Sequence, residues 1–147
     1  MSCQSNFDVA ASRAYLRSRQ ERAYQAAEQR RHAALHAICA AARAVFPNFP
    51  GVRRAYVFGS ALRPGAMRAN SDIDVAIEGA LSAEEYFALW RELEKAASDW
   101  TIDLVELDRE VRFADSVRKE GMLIYERPDP DVEHLSTARD GTRICTD

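Results

Sequence analysis

The sequence predicts an α/β domain, a small β-sheet with helices packed on it and a long N-terminal helix ahead of it. Three observations carry this. Residues 8–46 hold neither Gly nor Pro and are rich in Ala, Gln, Glu and Arg, a run of strong helix formers. Four short β-prone segments follow, set apart by turns or by stretches of helical periodicity. The whole chain is 147 residues, the size of one domain.

The first helix is expected from about Asp8 to Phe46, with at most one break. In its second half Leu35, Ile38, Ala42, Val45 and Phe46 recur at three- and four-residue steps, and Pro47 with Pro50 stop it. Its first half is more polar, with Tyr15, Leu16 and Tyr24 isolated among Arg and Gln, so that half is expected to project. Arg54 to Phe58 is a buried strand running into the tight Gly59-Ser60 loop, and Asp72 to Ile77 is a second strand. Ser82 opens a helix with Glu85 in capping-box position, and Tyr86, Leu89, Trp90, Leu93 and Ala97 on one side as core. Thr101 to Leu107 is a third strand. Arg109 to Lys119 is a short helix closed by Gly121, and Met122 to Glu126 is a fourth strand. The domain organisation expected is an arginine-rich helical extension over 1–32, the sheet domain over 33–127 and a mobile polar tail over 128–147.

Composition excludes several functions. Twenty Lys and Arg against 23 Asp and Glu give a net charge of −3, so no bulk positive field supports nucleic-acid binding. The charge is uneven: residues 1–50 carry seven Arg and three acids, while the remainder is acidic. No run approaches the ~18 apolar residues of a membrane span, nor is there a signal-peptide pattern, so a cytoplasmic protein is expected. Cys3, Cys39 and Cys145 show no CxxC spacing and read as reduced thiols.

The segments that carry chemistry are Phe58-Gly59-Ser60, then Ser71-Asp72-Ile73-Asp74-Val75, and later Ile102-Asp103-Leu104. On a strand, residues two apart share a face, so Asp72 and Asp74 project side by side while Ile73 faces the core. Two carboxylates held that close repel, and unless a cation sits between them one must stay protonated. The pair therefore suits Mg²⁺, a hard ion with oxygen ligands. Asp103 stands in a hydrophobic strand, where an unpaired acid is costly to bury, and converges on the pair if its strand lies alongside. Three carboxylates fit a site of two Mg²⁺ ions. Gly59 lets the backbone approach a phosphate, and the Ser60 hydroxyl can bond its oxygens.

This set resembles the minimal nucleotidyltransferases of the DNA polymerase beta superfamily, which carry a Gly-Ser, a loop, Asp-x-Asp and a third Asp on a later strand. The matching residues are Gly59-Ser60-Ala61-Leu62-Arg63-Pro64-Gly65, Ser71-Asp72-Ile73-Asp74-Val75 and Asp103, within about 33–127. The resemblance implies a mixed sheet of the polymerase palm type with helices on one side. It also implies Mg²⁺ held by Asp72, Asp74 and Asp103, with ATP as substrate. The nucleotide-binding candidates are Gly59, Ser60, Arg63 and Ser71. The loop is one residue longer than in the resembled pattern and carries Pro64, which leaves Arg63 and Arg68 open between phosphate clamps and solvated charges.

Small members of that group resemble antitoxins paired with a helical HEPN ribonuclease toxin, silenced when AMP is moved from ATP onto a toxin tyrosine. The resemblance thus implies a protein adenylyltransferase, a HEPN toxin as partner in a hetero-oligomer, and the first helix as an arm for gripping it. The alternatives are an antitoxin that acts by occlusion with a silent site, and transfer to a small molecule such as an aminoglycoside. His32 and His36, four apart, have no acid ligand with them and read as surface histidines.

Overall fold

A computed structural model describes residues 8–129. The Ala-rich run forms one unbroken helix, α1 (Val9–Val45), opened by Asp8, whose carboxylate accepts from the Ala11 N–H at 3.1 Å. A 3-10 turn over Phe46–Asn48, with Pro47 inside it, ends the helix. Then come β1 (Val52–Phe58), a 3-10 turn (Gly59–Leu62), β2 (Ile73–Gly79), α2 (Ala83–Ala96) and β3 (Ile102–Glu106). A further 3-10 turn (Leu107–Arg109), α3 (Val111–Glu120) and β4 (Met122–Glu126) complete the chain order. The tail expected over 128–147 falls, apart from Pro128 and Asp129, outside the described residues.

The sheet is mixed, in the order β3-β2-β1-β4, with β1 antiparallel to both neighbours and β2 parallel to β3. A parallel pair needs a crossover, and α2 supplies it. One face carries Ala55, Val57, Val75, Ile77 and Leu104 against Ile38, Ala42 and Phe46 of the α1 end and Leu89 and Leu93 of α2. The small Ala34, Ala41 and Ala42 let α1 lie close to its neighbours.

The expectation of helices on one side is corrected by α3. It packs on the opposite face, Ala114 and Val117 meeting Tyr56, Ala76 and Leu123. Its apolar residues form one stripe, and the sheet offers it an unusual anchor, Glu78, which is 2% exposed and paired with Arg118 of α3 and with Arg54 at 3.6 Å. A buried carboxylate is tolerable only with such partners, so the pairing fixes α3 to this face.

Tyr86 and Trp90 are also more than core. β3 is an edge strand, and its outward carbonyls are taken by α2: the Trp90 indole N–H donates to Ile102 at 2.8 Å and the Tyr86 hydroxyl donates to Leu104. The Glu94 carboxylate accepts from the Ile102 N–H at 3.4 Å. This covers backbone groups that would otherwise invite a foreign strand. Cys39 is disulfide-bonded, which replaces the reduced thiol expected there. Among the described residues no helix is long and apolar enough to cross a membrane.

Removing one partner of Glu78 tests the anchor. Arg118→Ala should cost about 2 kcal/mol in urea unfolding, below the ~3–5 kcal/mol of a wholly orphaned buried charge because Arg54 remains. A loss under ~0.5 kcal/mol, the scale of an exposed pair, would show that the contact does not hold α3.

Candidate active site

The parallel pairing of β2 and β3 sets Asp74 directly beside Asp103, and the antiparallel pairing of β1 and β2 sets Phe58 opposite Asp74. Asp74 lies two residues before Ala76, so it shares the face that α3 covers further along. Asp72 stands just ahead of β2, on the same alternation, and is exposed. The three acids thus gather at one end of the sheet face, where α3 does not reach over them. Phe113 of α3 meets Phe58 edge-to-face at 5.3 Å and forms a wall there.

Asp103 is exposed rather than buried. The cost of an apolar strand environment is therefore not what marks it; its register against Asp74 is. Asp74 is the half-buried member, and its carboxyl is held above the usual range by burial first, then by the charges of Asp103 and Asp72, against an opposing pull from Arg63. That ordering names the site's electrostatics: two anions press on a third, and one cation faces it.

Gly59 makes the approach possible. Its φ is +75°, and a Cβ there would collide with the Asp74 carboxylate. Only Gly combines that backbone with that contact, so the start of the Gly59–Leu62 turn, including half-buried Ser60, is set against the acids. The start of such a turn leaves N–H groups without partners inside it. Arg63 caps the turn and is exposed. Ser71 has a structural part: its Oγ accepts from the Arg68 N–H at 2.8 Å and closes the loop before Asp72. Arg68 is exposed, and it is Arg63 that acts on Asp74. A cleft of about 430 Å³ opens beside Asp72, lined by Arg30, Asn70, Asp99 and Thr101 among others.

Among the described residues no three His, Cys, Asp or Glu side chains are drawn into a ready-made ion cage. The donor set nonetheless fits a hard divalent ion: all-oxygen, carboxylate, and with surplus negative charge that a cation would relieve at Asp74. His32 and His36 are exposed, away from any such set.

A family model described as Polymerase beta, Nucleotidyltransferase matches residues 42–130. The chain belongs to the polymerase beta nucleotidyltransferase family. The matched span of the family contains β1 through β4 and all three acids, while most of α1 precedes it.

Among solved structures, the chain is similar to a toxin-antitoxin with AMP-PNP, at 28% identity and a TM-score of 0.48, over 58% of this chain and 69% of that one. It is similar to the toxin-antitoxin MntA-HepT, at 26% identity and a TM-score of 0.43, over 58% and 66%. A tri-AMPylated Shewanella oneidensis HEPN toxin in complex with its MNT antitoxin gives 25% identity and a TM-score of 0.43, over 58% and 66%. A comparison with the curated proteins gives no match.

Sequence reasoning missed the contacts of Tyr24 and Glu28 with the loop that follows Ser60. The Glu28 carboxylate accepts from the Gly65 N–H, and a Cβ at Gly65 would meet the Tyr24 ring. Nothing in residue spacing joins positions 37 apart, so no local signal marks them.

The raised Asp74 carboxyl has a direct consequence for stability. Between the ordinary 3.8 and its raised folded value the folded chain holds the extra proton, so stability falls as pH rises through that window. Asp74→Asn should therefore raise the thermal midpoint of the metal-free protein at pH 7. The advantage should vanish below 3.8, where Asp74 is protonated in both states. A lower midpoint for the variant at neutral pH would contradict the electrostatic account.

Proposed function

We propose that this chain is a Mg²⁺-dependent adenylyltransferase that moves AMP from ATP onto a hydroxyl of a partner protein. The partner is a HEPN-type ribonuclease toxin, the acceptor its tyrosine, and the chain its antitoxin in the cytoplasm. The observation that carries the reading is the Gly59 turn pressed against Asp74, with Asp72 and Asp103 beside it. Family membership supports nucleotidyl transfer. The acceptor and the pairing rest on the resemblance to the minimal nucleotidyltransferases.

The residues divide the work by chemistry. Gly59 and Ser60 bring backbone and hydroxyl donors to the triphosphate, and Arg63 offsets charge that builds on the departing pyrophosphate. Asp72, Asp74 and Asp103 would hold Mg²⁺, which when bound supplies charge neutralisation at the α-phosphate. The acceptor oxygen bonds to the α-phosphorus as the bond from that phosphorus to the bridging oxygen of pyrophosphate breaks. Asp103, exposed and on the open side, takes the hydroxyl proton. The products are the AMP ester and pyrophosphate.

Intact mass of the protein and the product of its neighbouring reading frame, incubated with Mg²⁺ and ATP, tests this. Whole AMP units should appear on the neighbour. The Asp72→Asn, Asp74→Asn double variant should lose at least ~1,000-fold in rate, the scale of several kcal/mol of transition-state stabilisation. Unchanged transfer in that variant sinks the mechanism. A stable complex with no mass gain would replace transfer by occlusion.

A further inference from the structure

We propose that Glu28 and Tyr24 of α1 are positioning residues for nucleotide binding, because they fix the loop at Gly65 and thereby hold Arg63 toward the acids. The assignment rests on the nucleotidyltransferase reading above. α1 is otherwise the element that lies mostly outside the matched family span, and its turns from Arg13 to Gln25 are exposed. Its contact with the loop begins at Tyr24.

The attachment is specific. One Glu28 carboxylate oxygen accepts from the Gly65 N–H at 3.2 Å. The same carboxylate is gripped by the Arg31 guanidinium through two bonds, 2.6 and 3.1 Å, so its direction is fixed. Arg31, foremost, and the Gly65 N–H both hold the Glu28 carboxyl below the usual range. Gly65 has φ +74°, and a Cβ there would lie 2.6 and 2.7 Å from Tyr24 ring carbons. The ring therefore lies flush on the loop backbone.

The loop is seated on the core by Ala61 and Leu62 before Arg63 and by Met67 after it, while Arg63 and Pro64 between them are exposed. Two turn bonds flank Arg63, its own N–H to the Ser60 carbonyl and Ala66 N–H to the Arg63 carbonyl, both 3.1 Å. Those bonds shape the turn, and the Glu28 contact at Gly65 adds a hold from α1. Gly65, inside the second turn, is where the helix holds it, and Arg63 is the cation that acts on Asp74. A loop freed at Gly65 would keep its seated ends but lose the hold on the exposed stretch that carries Arg63.

The experiment pairs steady-state kinetics with hydrogen exchange on the full chain, using the AMP-transfer assay described above. Glu28→Ala should raise KM for ATP ~10-fold, the equivalent of one charge-assisted hydrogen bond, with kcat within ~2-fold. Glu28→Gln keeps one acceptor oxygen for Gly65 but loses the charge and one Arg31 bond, so its KM should fall between wild type and Glu28→Ala. Tyr24→Ala should raise KM likewise, and Tyr24→Phe, which keeps the ring, should not. Exchange at the Gly65 amide should quicken at least ~10-fold in Glu28→Ala, a readout that needs no activity. Faster exchange with unchanged KM would make the contact purely structural and overturn the assignment. Unchanged exchange would overturn it at its base. A wild-type chain that transfers no AMP would overturn the functional reading, whereas unchanged exchange in Glu28→Ala overturns the loop anchor whatever the activity.

Discussion

Like charge held at short range governs this molecule. Three carboxylates meet at the end of one sheet face, and the most buried of them, Asp74, feels both of the others. Such a cluster opposes folding wherever all three are ionised, so the remaining structure must force it together. The parallel pairing of β2 with β3 does so by register: Ile73, Val75 and Ile77 on one face cannot leave the core without moving Asp74 to the wrong side. The α2 crossover that makes the pairing parallel then covers the outer edge of β3 with Tyr86, Trp90 and Glu94. The same helix thus builds the acid site and protects the strand that carries its third member.

The opposite end of that face is closed, and the closure leaves the acids accessible. Glu78 is four residues beyond Asp74 on the same alternation, also an acid, yet it is buried and satisfied by Arg118 and Arg54. One sheet face therefore holds an anion neutralised within the protein and anions left to an outside cation. The difference lies in what stands above each: α3 over Glu78, open space over Asp72 and Asp103.

Much of this was legible in the sequence, because its signals were local. The helix-forming run, the capping Ser82 and the alternating Asp72, Ile73 and Asp74 each declare their state within a few residues, and the elements stand where periodicity put them. The family match agrees with the motif read from Gly59-Ser60 and the three acids. What escaped was relational. The side of the sheet that α3 takes depends on Glu78 meeting Arg118, forty residues on, and the exposure of Asp103 depends on α3 stopping short. The contact of Glu28 with Gly65 was hidden in the same way, since it joins residues 37 apart.

That last contact changes what the long helix is for. A helix that merely projected would leave the sheet domain indifferent to it, but Tyr24 and Glu28 lie on the same rigid rod as the exposed turns from Arg13 to Gln25. An α-helix transmits displacement along its axis because each turn is bonded to the next. No Gly or Pro interrupts Val9–Val45, so no hinge residue lies between the exposed turns and Glu28. The exposed turns from Arg13 to Gln25 and the two side chains that meet the loop, Tyr24 and Glu28, therefore belong to one uninterrupted helix.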